Sequence, residues 1–215
     1  MPHLTPPNLK FKAIKLVIFD WSGVISDDRK PVYEANKIVV EKHGVEHENF
    51  QNWRIHTNAS APLYFASRGI TADPDVLMNE YRDALHRARA SGIHPVIYPD
   101  VIQTLEGLFP KKQFVVSMHP TNHLLKEAHD YGIAAYFSDI IGEVKDKSVA
   151  IKKILGDSMP ASAIYVGDTI FDIQAAKKAG VISAGVPTGY QTKDVLSAEN
   201  PDVMLEKLSD ILNYL

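Results

Sequence analysis

The sequence predicts an α/β fold, a doubly wound parallel sheet carrying an inserted α-helical domain, and three observations predict it. From about residue 100 to the end, short β-rich runs alternate with helical patterns, as strands joined by crossover helices do. Between the first β-rich run and that alternation, Asp27 to Gly92 carries helical spacing without a strand signal. The length of 215 residues exceeds one typical domain and falls short of two, which suits one core with a sizeable insertion. The division is therefore an α/β core of residues 1–26 and 93–215 and a helical cap of residues 27–92.

Each element has its own signal. Ala13 to Phe19, AIKLVIF, is a buried strand running into the polar loop DWSGVISDD. Pro31 to His43 has apolar residues at helical spacing, a first-turn proline and a stop at Gly44. Asn49 to Ile55, Pro62 to Ser67 and Asp73 to Ala90 follow as helices, the last opened by a cap and first-turn proline, Asp73-Pro74. SGIHPVIYPD reads as a linker. Helices are then expected at Asp100 to Leu108, Thr121 to Tyr131, Ser148 to Leu155 and Phe171 to Ala179, with a last one toward Tyr214. Strands are expected at Gln113 to Ser117, near Tyr136 to Ile141, at Ala163 to Val166 and at Val181 to Gly185.

Composition narrows the function. The net charge is −3 and no Lys/Arg run exceeds two residues, which argues against nucleic acid as a partner. With no cysteine, the chain has no thiol nucleophile and no thiolate metal site, so any metal sits on oxygen or histidine. MPHLTPPNLKFK is too poor in apolar residues for a signal peptide, and no apolar run approaches the ~20 residues of a membrane span. A cytoplasmic protein with no membrane partner is expected.

In an open parallel sheet, ligands bind beyond the carboxyl ends of the strands. The residues expected there are Asp20, Ser117 and Asp168, with Lys147 near another strand end. Such a set suits an anionic substrate held with a hard cation. If Asp20 attacks a phosphate, each unit-charge pair at about 4 Å and an effective dielectric near 20 repels by about 4 kcal/mol. As about 1.4 kcal/mol is a tenfold rate factor, cations must sit beside the carboxylate. Asp168 can share Mg2+ with Asp20, and Lys147, preferred to Lys145 because its helix starts directly after it, can neutralise the transferred group. Ser117 can donate to a phosphate oxygen. Asp172, four residues after Asp168, can face the same site if the segment turns helical at once. Gly167 allows close backbone approach, and Thr169 can bond to either carboxylate.

These residues resemble the haloacid dehalogenase-like hydrolases, in the phosphoglycolate-phosphatase-like group with a helical cap after the first strand. The likeness covers nearly the whole chain: VIFDWSGV resembles the nucleophile motif, VVSM the hydroxyl motif, VKDKSVAIKKIL the lysine motif and VGDTIFDIQAAKKAG the acidic motif. It implies a Rossmann-like core and a phosphatase of small phosphorylated metabolites, working through an aspartyl-phosphate on Asp20. Carried over, Asp20, the Ser22 carbonyl and Asp168, supported by Asp172, hold Mg2+, and Ser117, Met118 and Lys147 meet the phosphate. Arg54, His56, Asn58 and Arg68 lie in or beside the segment resembling the cap's specificity region, whereas Trp53 and Tyr64 are expected in the cap core.

The chain departs from the family at Ser22, where most of its phosphatases carry the aspartate that acts as acid and base. A serine can orient a proton carrier without replacing one, which leaves three readings: a leaving group that needs little protonation, a histidine such as His56 or His119 as acid, or a slow or impaired phosphatase. Two alternatives follow from the departures. The Asp20-Trp21 pair resembles phosphonoacetaldehyde-hydrolase-like enzymes that cleave C–P bonds, but these need a cap lysine, and none lies between Lys42 and Lys111. Ser22 would also suit a binding or regulatory module that keeps the fold without turnover.

Overall fold

The structure, a computed structural model, describes residue 11 and residues 13–57 and 61–215. In chain order its strands are β1 (Leu16–Phe19), β2 (Ser26–Asp27), β3 (Val96–Ile97), β4 (Lys112–Val116), β5 (Asp139–Ile141), β6 (Ala163–Gly167), β7 (Ile182–Gly185) and β8 (Val203–Met204). Six of them form one parallel sheet in the order β5-β4-β1-β6-β7-β8. From central β1 the chain builds outward on one side through β4 and β5, then returns to the other side for β6, β7 and β8. The order reverses around β1, where such sheets open a crevice at their carboxyl ends.

Period-two geometry explains why β1 is apolar throughout. Val17 and Phe19 enter one core with Val115, Ile164 and Val166, whereas Leu16 and Ile18 enter another with Val116, Ala163 and Tyr165. Leu105 of α5 (Val101–Gly107) and Leu124 of α6 (Thr121–Asp130) belong to the first core. Ile151 of α7 (Lys147–Leu155) and Ala176 of α8 (Ile170–Ala179) belong to the second.

Between β1 and β4 stand α1 (Arg29–Lys42), α2 (Phe50–His56), α3 (Ala61–Ser67) and α4 (Pro74–Ala90). They have a separate core of Ala35, Val39, Val40, Trp53, Tyr64, Phe65, Ile70, Leu77 and Ala84. The Asn49 side chain accepts from Asn52 N–H, and the Asp73 side chain accepts from the N–H groups of Asp75 and Val76.

Three expectations are corrected. The linker contains β3, which pairs antiparallel with β2, so the two crossings between sheet and helices are tied to each other. The strand near Tyr136 is confined to Asp139–Ile141, after a 3₁₀ turn at Ala134–Tyr136. In place of one helix toward Tyr214 come α9 (Lys193–Ala198), β8 and a 3₁₀ turn at Leu208–Asn213. Pro201 ends helical continuation; Val203 and Leu205 then alternate as a strand does, and Leu208 and Ile211 recur at the three-residue period of a 3₁₀ turn.

Ile18 is fully buried in the central strand. Ile18→Ala is expected to cost about 2–5 kcal/mol, read as a lower urea midpoint at unchanged slope. A loss below about 1 kcal/mol would contradict that placement of β1.

Candidate active site

The ends of β1, β4 and β6 deliver Asp20, Ser117 and Asp168 to one edge of the sheet. Asp20 extends the ladder past β1, its N–H donating to the Val166 carbonyl at 2.9 Å. Its Oδ2 lies 2.9 Å from Lys147 Nζ, while its buried Oδ1 has no hydrogen-bond partner. Lys147, the first residue of α7, also reaches Asp172 Oδ1 at 2.7 Å. Lys145 lines the cavity above without entering this pair of bonds.

Asp172 serves the helix and the site together. Its Oδ2 accepts from the Thr169 N–H at 3.1 Å and the Thr169 hydroxyl at 2.5 Å, closing a capping box at the start of α8. Its Oδ1 takes Lys147 and the Tyr165 hydroxyl, the latter at 3.1 Å. Gly167 permits this approach, because a Cβ there would lie 2.1 Å from Asp172 Cβ. Asp168 Oδ2 accepts from the Tyr190 N–H at 2.7 Å and nests between Gly23 and Gly189, where an added Cβ would come within 2.1 and 1.9 Å of that oxygen.

Asp20, Asp168 and Asp172 are all buried, and each offers a carboxylate oxygen within 4.8 Å of the others'. Burial raises the Asp20 pKa to about 6 despite the opposing pull of Lys147. Burial also raises Asp168 well above the usual carboxylate range, with Asp172 and Asp20 adding to it. For Lys147, burial works against the ammonium, yet Asp172 and Asp20 hold its pKa above the ordinary lysine value. Three carboxyl groups share this pocket with one ammonium, and Asp20 Oδ1 is unclaimed. An all-oxygen acidic set fits a hard divalent cation.

A second group adjoins the first. Ser22 Oγ donates to Asp28 Oδ2 at 2.7 Å and lies 2.8 Å from His119 Nε2, so its oxygen is free to accept from that ring. The Tyr190 hydroxyl donates to Asp28 Oδ1 at 2.8 Å. Burial lowers the His119 pKa and raises that of Asp28. Ser22, Ser117, Met118 and His119 all line the cavity.

Of the expected cap residues, Arg54, His56 and Arg68 are not among those lining this cavity. Arg54 donates to the Gly189 carbonyl at 2.9 Å. His56 pairs with Glu48 at 2.5 Å, and Arg68 lies 3.7 Å from the same carboxyl group. Glu48, only 9% exposed at its side chain, draws both away from the sheet. Asn58 lies outside the described residues. Trp53 is buried in the helical core, whereas Tyr64 belongs to that core and lines the cavity too. Sequence reasoning missed Asp28, Asn36, Gly23, Gly189 and Tyr190. The string GVPTGY next to the acidic motif was the available signal for the last two; nothing local separates Asp28 from Asp27, which pairs with Arg29 at 2.6 Å.

The model of the family described as haloacid dehalogenase-like hydrolase matches residues 17–186. A phosphoglycolate phosphatase of Vibrio parahaemolyticus is 28% identical over 216 residues, covering 93% of this chain and 95% of that one. The pyrophosphatase PpaX of Bacillus velezensis is 28% identical over 222 residues, covering 94% and 96%. A haloacid dehalogenase-like hydrolase of Streptococcus pneumoniae superposes with a TM-score of 0.80 at 23% identity, over 94% of this chain and 98% of that one.

The uncompensated carboxylates make a prediction about stability. Asp168→Asn is expected to raise the melting temperature of the metal-free protein and to remove the further rise expected of the parent on adding Mg2+, both read by calorimetry with EDTA controls. An equal Mg2+-induced rise in parent and variant would place the cation elsewhere.

Proposed function

The chain belongs to the haloacid dehalogenase-like hydrolases, and on that premise we propose that it is a phosphatase of small phosphorylated metabolites with Asp20 as nucleophile. One observation carries the reading: the buried Asp20 carboxylate stands at the cavity floor with Oδ2 on Lys147 and Oδ1 unclaimed. The curated relatives named as phosphatases support the reaction class.

Ser117 and Lys147 line the cavity beside Asp20 and receive the phosphoryl oxygens, with Met118 flanking them. Lys147 holds one carboxylate oxygen of Asp20 so that the other points its lone pair at phosphorus. Asp20, Asp168 and the Ser22 carbonyl, with Asp172 in support, are the residues that would hold Mg2+, whose charge would offset that of the phosphoryl group. Asp20 Oδ1 bonds to phosphorus as the ester P–O bond breaks, and the departing oxygen takes a proton from His119. Water then attacks the phosphorus of the aspartyl-phosphate, returns one proton to His119 and frees phosphate and the Asp20 carboxylate. His119 suits this role through its bond to Ser22, which Asp28 fixes from behind. The helical cap, residues 27–92, is the element that would exclude water from the intermediate.

The C–P-cleaving alternative needs a lysine amine in the cavity from the helical insert, and the three available point elsewhere. Lys30 is exposed, Lys37 lines a separate depression with Glu41 and Arg68, and Lys42 pairs with Glu80 at 2.7 Å.

With Mg2+ and p-nitrophenyl phosphate the protein should release phosphate; EDTA or Asp20→Asn should reduce release to background, and an Asp20→Asn variant retaining turnover would remove the nucleophile from the scheme. His119→Asn is expected to slow alkyl phosphates on the order of 10²-fold while sparing p-nitrophenyl phosphate, whose leaving group needs no proton. A purely structural His119 would slow both alike.

A further inference from the structure

The cavity of about 580 Å³ extends from Asp20 into the helical unit, and its two ends differ in chemistry. Its floor is ionic. Its upper wall is made by Val32 and Asn36 of α1, Leu63 and Tyr64 of α3, and Tyr81 of α4. Three residues on this wall or at the mouth, Leu63, Met118 and Phe171, are large apolar groups left 57%, 54% and 44% exposed.

No arginine, lysine or histidine of the described part of the insert lines this space. Several of the insert's cations are committed to other groups: Arg29 to Asp27, Lys42 and His43 to Glu80, Arg54 to the Gly189 carbonyl, and His56 and Arg68 to Glu48. Residues 58–60 are Asn, Ala and Ser and bring no charge. On the core side Lys147 is taken by two carboxylates, Lys178 by Asp146 and the His119 ring by Ser22, and Lys145 is an exposed residue at the rim. A carboxylate carried against the wall of the insert would therefore meet no counter-charge from that wall, which is costly.

One polar group on that wall is unspent. Asn36 is 2% exposed, lines the cavity, and its side-chain oxygen has no hydrogen-bond partner. A buried amide in that state favours a ligand that supplies the missing bond.

We propose that the cavity selects phosphate esters whose alcohol is uncharged, with an apolar or aromatic body and a hydroxyl that bonds to Asn36, and that it disfavours short carboxylated esters such as phosphoglycolate. This rests on the phosphatase reading and adds the leaving-group class to it. It also separates the chain from the relative whose name carries that substrate.

The test compares benzyl phosphate, its 4-hydroxymethyl counterpart and phosphoglycolate, with Mg2+ and the full chain, by kcat/KM. Both benzyl esters are expected to exceed phosphoglycolate by at least about tenfold, and the hydroxylated one to lead by roughly threefold to tenfold, the worth of one buried hydrogen bond. Asn36→Leu should raise KM for the hydroxylated ester and erase its lead, with the plain benzyl ester as the control for folding. Val32→Arg should shift preference toward phosphoglycolate. Phosphoglycolate turned over as well as the benzyl esters, or a hydroxyl preference that survives Asn36→Leu, would overturn the proposal and leave the phosphatase reading standing. Absence of phosphate release from all three esters and from acetyl phosphate would instead overturn the reading beneath it.

Discussion

The ammonium of Lys147, held 2.9 Å from Asp20 and 2.7 Å from Asp172, is the interaction on which the site depends. Three buried carboxylates gathered at one strand edge repel each other and pay for lost hydration. One internal cation removes part of that cost and leaves the rest as affinity for positive charge. The fold serves this compromise: α7 starts at Lys147 so that its side chain enters the crevice, and α8 starts so that Asp172 closes its own capping box while facing the lysine. Helix capping and site assembly are here one set of hydrogen bonds.

The helical insert answers to a different constraint. Several of its charged residues pair with one another, and its apolar side chains divide between a private core and the cavity wall. A cavity that is ionic at the floor and apolar above can bind the phosphoryl end of any ester in the same way while judging only what is attached to it.

Much of the sheet was legible because its signals are local. LVIF must be a buried strand in any arrangement, and the spacing of Asp168 and Asp172 brings both carboxylates together once helix α8 begins at Ile170. The partners of long polar side chains were not legible. Arg54, His56 and Arg68 have the right chemistry for an anionic ligand, but Glu48 and the Gly189 carbonyl claim them through contacts that no local pattern encodes. Asp28 and Asn36 were hidden for the converse reason. Each looks like an ordinary polar residue near a turn or on a helix until tertiary packing buries it beside Ser22 or against the cavity. The final strand was missed because a two-residue edge strand leaves almost no periodicity to read.

Tyr190 touches three parts of the molecule that are otherwise distinct. Its backbone N–H holds Asp168, its hydroxyl holds Asp28, and its ring lies edge-on to Trp53 of the helical insert at 5.8 Å. The neighbouring Gly189 carbonyl takes the Arg54 guanidinium from the same insert. A swing of the helices away from the sheet must drag this loop or tear both contacts from it. The acidic cluster and the helical insert are therefore joined through this one loop.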